Sequence, residues 1–189
     1  FYDSIFRSKE FKNEKGELGV NKINADRIRY ENSGERMPRF QKYMRLNQSC
    51  KNPLIKFLYK ILFVAFRNKL LIEMSVDTNI GEGLYFGHPF GININPNSII
   101  GKNCNIHKGV TIGQENRGVR KGAPIIGDEV WIGVNATIVG HIHVGNDVLI
   151  APNSYVNCNI PDHSIVFGNP CIIKYNNEAT KGYINRKVN

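Results

Sequence analysis

The sequence predicts a mainly β fold, a parallel β-helix preceded by a short helical region, and three observations carry that reading. An apolar residue recurs at every sixth position from Ile80 onward, glycine often follows it directly, and the period breaks only at discrete insertions. A six-residue period fits neither a helical face nor plain strand alternation. It suits a short strand plus a turn repeated around a triangular coil.

The anchors of the repeat are Ile80, Phe86, Ile92, Ile100, Ile106, Ile112, Ile126, Ile132, Ile138, Val144, Ile150 and Val156. Seven of these twelve precede a glycine, at positions 81, 87, 101, 113, 127, 133 and 145, which suits corners where backbones approach closely. A second register, four residues past the anchors, holds small or apolar residues such as Cys104, Val110, Val130, Ala136, Val148 and Ser154. These are expected to fill a narrow interior.

Register slips mark where loops leave the coil. The step from Ile92 to Ile100 is longer by two residues and points to Asn95-Pro96-Asn97; the step from Ile112 to Ile126 is longer by eight. The second insertion, Gln114 to Gly122, is polar, basic and glycine-bearing. Such insertions commonly build a solenoid's binding face, the alternative being a tolerated surface loop. A smaller slip follows Val156, at Asn159-Ile160-Pro161-Asp162-His163.

Three segments follow: a helical or irregular region over 1–73, the β-helix over 74–174, and a tail over 175–189. Pro53 is placed to start a helix through Leu54, Ile55, Leu58, Ile61, Leu62, Ala65 and Phe66, whose apolar stripe is expected to face the coil or a neighbouring subunit. Lys56, Lys60, Arg67 and Lys69 interrupt it, so it does not read as a membrane span; a membrane-surface helix is the alternative.

Composition is that of a globular protein, 41% apolar and 22% charged. The net charge of +9 is concentrated N-terminally, residues 1–74 holding 16 Lys/Arg against 8 Asp/Glu. Such a segment attracts nucleic acid, anionic membrane or phosphorylated ligands. No zinc-finger or RNA-binding signature accompanies it, and nucleic acid is not an expected partner. The four cysteines show neither paired metal spacing nor a dense disulfide framework, and the start carries no signal-peptide pattern; a cytoplasmic location is expected.

With the hexads and the loop in place, the chain resembles the hexapeptide-repeat acyltransferases, serine acetyltransferase-like branch. The resemblance rests on Ile80-Gly81-Glu82-Gly83-Leu84-Tyr85-Phe86-Gly87-His88, then Gly109-Val110-Thr111-Ile112-Gly113, Ile126-Gly127-Asp128-Glu129-Val130-Trp131-Ile132-Gly133 and Gly168-Asn169-Pro170, in that order. It covers about residues 70 to 174. It implies a left-handed coil, a homotrimer, acetyl-CoA as co-substrate in a groove between coils, and transfer of acetyl to a hydroxyl. By the same resemblance His88 is the general base and Glu73 the carboxylate orienting it. A base must take the hydroxyl proton, and imidazole titrates near physiological pH.

For acetyl-CoA the expected contacts are Gly133, Ala151 and Pro152 along the pantetheine arm, with Lys174, Arg117, Arg120 or Lys121 toward the phosphates. Two departures bear on the acceptor. Serine acetyltransferases carry an arginine-histidine pair before the proline that re-enters the coil, where this chain has Gly122 and Ala123, and an acidic residue where it has Gly87. A saccharide acceptor is therefore expected ahead of serine, with a non-catalytic binding scaffold as the alternative of another class. His107, His141, His143 and His163 do not resemble a zinc-ligand pattern, and no metal is expected.

Overall fold

A computed structural model describes residues 22–31 and 33–189; of the N-terminal region assigned from sequence, residues 1–21 lie outside the described residues. Each coil is built from three short strands. The first holds β1 (Asn79–Ile80), β2 (Tyr85–Gly87) and β3 (Asn93–Ile94), and the second β4 (Ile99–Ile100), β5 (Asn105–His107) and β6 (Thr111–Gly113). The third holds β7 (Ile125–Ile126), β8 (Val130–Ile132) and β9 (Thr137–Val139), and the fourth β10 (His143–Val144), β11 (Val148–Ile150) and β12 (Tyr155–Val156). β13 (Ser164–Phe167) then extends one face, and β14 (Ile172–Tyr175) returns antiparallel along it.

Every third strand pairs in parallel register, giving faces β1-β4-β7-β10, β2-β5-β8-β11-β13 and β3-β6-β9-β12. All twelve hexad anchors are buried, as are the six small or apolar residues of the second register. Corners turn through left-handed backbone at Asn103, Glu129, Asn135, Asp147, Asn153 and His163, where short polar side chains are better tolerated than branched ones.

The structure corrects the placement of the first slip. Ile94, not Ile92, pairs with Ile112, so the extra residues sit between Phe86 and Ile94, at His88-Pro89-Phe90-Gly91, and not at Asn95-Pro96-Asn97. Ile92 and Ile94 are both buried and two residues apart, the period of a strand face, so hydropathy alone did not separate them.

Helices α1 (Lys22–Tyr30), α2 (Arg39–Ser49) and α3 (Pro53–Asn68) cap the coil. A buried network fixes the first two. Arg45 Nε donates to Asp26 at 2.8 Å and Arg45 Nη1 to the Ile80 carbonyl, while Asp26 also accepts from Gln41 and from the Leu84 N–H. Arg29 reaches the Gly83 carbonyl and Asn105. Each buried charge thus has partners, which offsets its desolvation.

α3 forms where expected, with Pro53 in its first turn and the Asn52 side chain accepting from the Leu54 and Ile55 N–H groups. Its apolar residues divide: Phe66, with Phe63 and Val64, packs against the core as expected, while the N-terminal part of the stripe faces away from the coil. Among its residues only Phe63 is fully buried, while Leu54, Ile55, Phe57, Leu58 and Ile61 are exposed.

The C-terminal tail is docked, and β14 runs to Tyr175 at its start. Asp147 accepts from Thr180 Oγ1 and from the Ala179 and Thr180 N–H groups, Tyr183 packs edge-on to Trp131, and Val188 hydrogen-bonds Asn103.

Candidate active site

The enlarged corner after β2 presents His88. Its backbone is left-handed, with φ 50°, and its side chain is 76% exposed. His88 Nδ1 lies 3.2 Å from Glu35 Oε1. A carboxylate only accepts, so Nδ1 carries the proton and Nε2 is left as an acceptor.

Glu35 comes from the segment between α1 and α2, which sequence reasoning passed over. Ser33 Oγ accepts from its N–H, and Tyr85 Oη donates to Glu35 Oε2 at 2.8 Å. Tyr85 in turn stacks on Tyr30, whose hydroxyl accepts from the Phe86 N–H and donates to Gln41. The buried network of the cap therefore holds Glu35 over the end of the strand that delivers His88. Burial, then the hydrogen bond to Glu35, raises the Tyr85 pKa to about 12, so Tyr85 stays a donor. No periodicity marks Glu35; a carboxylate in a loop between helices is visible only once the loop is placed.

Glu73 is elsewhere. Its carboxylate accepts from Asn93 Nδ2 at 2.9 Å, its backbone bridges to Asn93, and it lines a cavity of about 440 Å³ with Lys60, Arg67 and Met74 beneath α3. The carboxylate that reaches His88 is Glu35.

His107 is the second imidazole at this corner. It pairs in register with Gly87, and its Nδ1 donates to the Ile132 carbonyl at 2.9 Å, which fixes its tautomer. Burial lowers its pKa; the hydrogen bond to Ile132 opposes this, and the neighbouring His88 adds to the lowering. A Cβ at position 87 would lie 2.6 Å from His107 Nε2, so glycine leaves the space that the ring occupies.

Continued register puts Gly133, Ala151 and Pro152 on the same corner. His107 precedes Gly133, and Gly133 precedes Ala151, in the column of Gly87; Pro152 lies in the column of His88. Gly133 approaches Pro152 so closely that a Cβ there would come within 2.6 Å of its nitrogen. Lys174, on β14, lies over the Phe167 ring.

The inserted loop leaves from the next corner, after β6. It closes through reciprocal Glu115 and Gly122 backbone hydrogen bonds; the Arg120 side chain pairs with Glu115, and the Arg120 carbonyl accepts from the His141 N–H. Arg117 and Lys121 have no ion pair among the described residues. No group of three or more His, Cys, Asp or Glu side chains is arranged to hold a metal ion among the described residues.

These features agree with what the chain is similar to. The family model described as bacterial transferase hexapeptide (six repeats) matches residues 123–158. The serine acetyltransferase of Staphylococcus aureus is 36% identical over 99 residues, covering 52% of this chain and 46% of that protein. A solved serine acetyltransferase in complex with CoA is 28% identical, covers 71% of this chain and 55% of its own, and superposes with a TM-score of 0.60. The Neisseria gonorrhoeae serine acetyltransferase, at 24% identity, covers 82% of this chain and 65% of its own with a TM-score of 0.68, a likeness of fold. The chain spans less than half the length of the relatives it matches in sequence. The hexapeptide-repeat match lies within the parallel β-helix, whose fold is similar to that of these solved serine acetyltransferases.

Proposed function

We propose that this hexapeptide-repeat β-helix is an acetyl-CoA-dependent O-acetyltransferase in which His88 is the general base, and that serine is the acceptor its relatives favour. The observation that carries the reading is the His88–Glu35 pair at the enlarged corner. With Nδ1 engaged, Nε2 takes the proton of an acceptor hydroxyl as its oxygen attacks the thioester carbonyl. The proton then passes to the departing CoA sulfur, so that atoms and charge balance.

Acetyl-CoA is a co-substrate here. The column of Gly133 and Ala151 beside Pro152 offers a surface without long side chains for its arm, and Arg117, Lys121 and Lys174 supply cations for its phosphates. A homotrimer fits this reading, because a corner groove on a solenoid is open on one side and a neighbouring coil closes it.

A second reading, a saccharide acceptor, is favoured by one observation. Where the resemblance implies an acidic residue beside the base, this chain has Gly87 with the His107 ring in the space a side chain would need. A neutral imidazole suits a hydroxyl better than an ammonium group.

Thiol release from acetyl-CoA with L-serine, and in parallel with a panel of sugars and oligosaccharides, tests both, each corrected for the His88→Ala background. Turnover with serine supports the first reading and turnover confined to a saccharide the second. Absence of turnover with every acceptor leaves either an acceptor outside the panel or a binding scaffold.

A further inference from the structure

α3 is apolar on two sides, and Val64 and Phe66 join Phe63 on the inner one. Its buried Phe63 faces the protein, while Leu54, Leu58 and Ile61, at helical spacing on the opposite side, point to solvent together with Phe57. Leu54 is 80% exposed and Phe57 64%, and Leu71, just past the helix, is 64% exposed. Scattered apolar residues on a surface need no explanation, but a contiguous stripe on one helix does.

The charge around the stripe says what covers it. From Arg36 to Ile72 the sequence holds nine Lys/Arg and no Asp/Glu. Two of the lysines, Lys51 and Lys69, are exposed at the two ends of α3, while Lys56 and Lys60 are exposed on the side that lines the cavities toward the coil. Two copies of this chain meeting through α3 in a two-fold contact would bring these like charges together, since such an interface is self-complementary; a three-fold contact is not, and sedimentation mass separates it. An apolar stripe with a lysine at each end, the nearby carboxylates Glu73 and Asp77 lying on the opposite, coil-facing side of the helix, matches a surface that is apolar below and anionic above. No helix among the described residues is long and apolar enough to cross a membrane, so the geometry required is one of lying on it.

We infer that α3 docks the protein on an anionic phospholipid surface, with Leu54, Phe57, Leu58 and Ile61 inserted among acyl chains and the flanking lysines on the headgroups. This holds whatever the acceptor, because it rests on α3 and not on the His88 corner.

Co-flotation of the full chain with phosphatidylcholine vesicles, with and without phosphatidylglycerol, tests it. Binding to the anionic vesicles and not to the neutral ones is expected. It should weaken by about 30-fold or more in Lys51→Glu/Lys69→Glu and fall similarly in Leu54→Asp/Leu58→Asp. Both variants change exposed side chains, and unchanged melting temperatures verify that they fold. Failure to bind anionic vesicles, or equal binding to neutral ones, overturns the inference. A lower sedimentation mass of Leu54→Asp/Leu58→Asp without vesicles also overturns it, because the face would then belong to a subunit contact.

Discussion

Glu35 and His88, from opposite sides of the junction between helical cap and coil, meet at 3.2 Å. The carboxylate that orients the imidazole is thus supplied by the cap, and the coil supplies the imidazole. His88→Ala is expected to lower turnover by about 10²-fold or more. Glu35→Gln should lower it by at least about tenfold with KM for acetyl-CoA little changed, since orientation of the base matters in the transition state. Glu73→Gln should behave nearly as the parent, because Glu73 contacts Asn93. Steady-state kinetics on the three variants decides the matter: a larger loss in Glu73→Gln than in Glu35→Gln would reverse the assignment.

Gly87 and His107 are coupled through space. A methyl group at position 87 would lie 2.4 Å from His107 Cδ2, and that ring is held by the Ile132 carbonyl and packed on Trp131. Gly87→Ala should cost about 1–3 kcal/mol through overpacking. Most of this cost should vanish when His107→Ala is added, a non-additivity that a double-mutant cycle in urea measures directly. Additive effects would mean that the backbone, and not the ring, absorbs the strain.

The coil was legible in the sequence because its constraint is local and repeated. A residue that must point inward at every strand leaves a period, and all the anchors from Ile80 to Val156 are buried. The extra residues around His88 were misplaced because Ile92 and Ile94 both satisfy that constraint. Glu35 was illegible for a different reason. Its role depends on how the buried Asp26–Arg45 pair seats the cap on the coil, a relationship between distant segments that leaves no pattern in either. α3 is legible as an amphipathic helix, and Phe66 packs on the core as expected, but periodicity does not say which part of an apolar stripe the coil covers.

The Asp26–Arg45 pair is fully buried, and Asp26 also accepts from Gln41 and from the Leu84 N–H. Asp26→Ala leaves the Arg45 charge without its counter-ion and is expected to cost about 3–5 kcal/mol. The loss should extend to function, because the cap carries Glu35. Urea unfolding followed by circular dichroism, alongside turnover, checks this; a variant that loses stability but keeps full activity would separate Glu35 from the cap's integrity.

Acid should release the C-terminal tail. Asp147 accepts from Thr180 Oγ1, His163 Nδ1 and two backbone N–H groups. Burial on its own would raise the Asp147 pKa, but the hydrogen bonds from Thr180, His163 and the Ala179 backbone outweigh it, and the net shift is downward. A carboxylate whose folded pKa lies below its unfolded value stabilises the folded form above the unfolded pKa, about 3.9 for Asp. That contribution is lost as pH falls through the lower folded value, so the docked tail holds at neutral pH and loosens below about pH 4. Tyr183 packs on Trp131, so tryptophan fluorescence reports the tail's position. The parent should show a fluorescence transition in that acid range, and Asp147→Asn should show the loosened signal already at neutral pH. The same acid transition in both proteins would place its origin in another group.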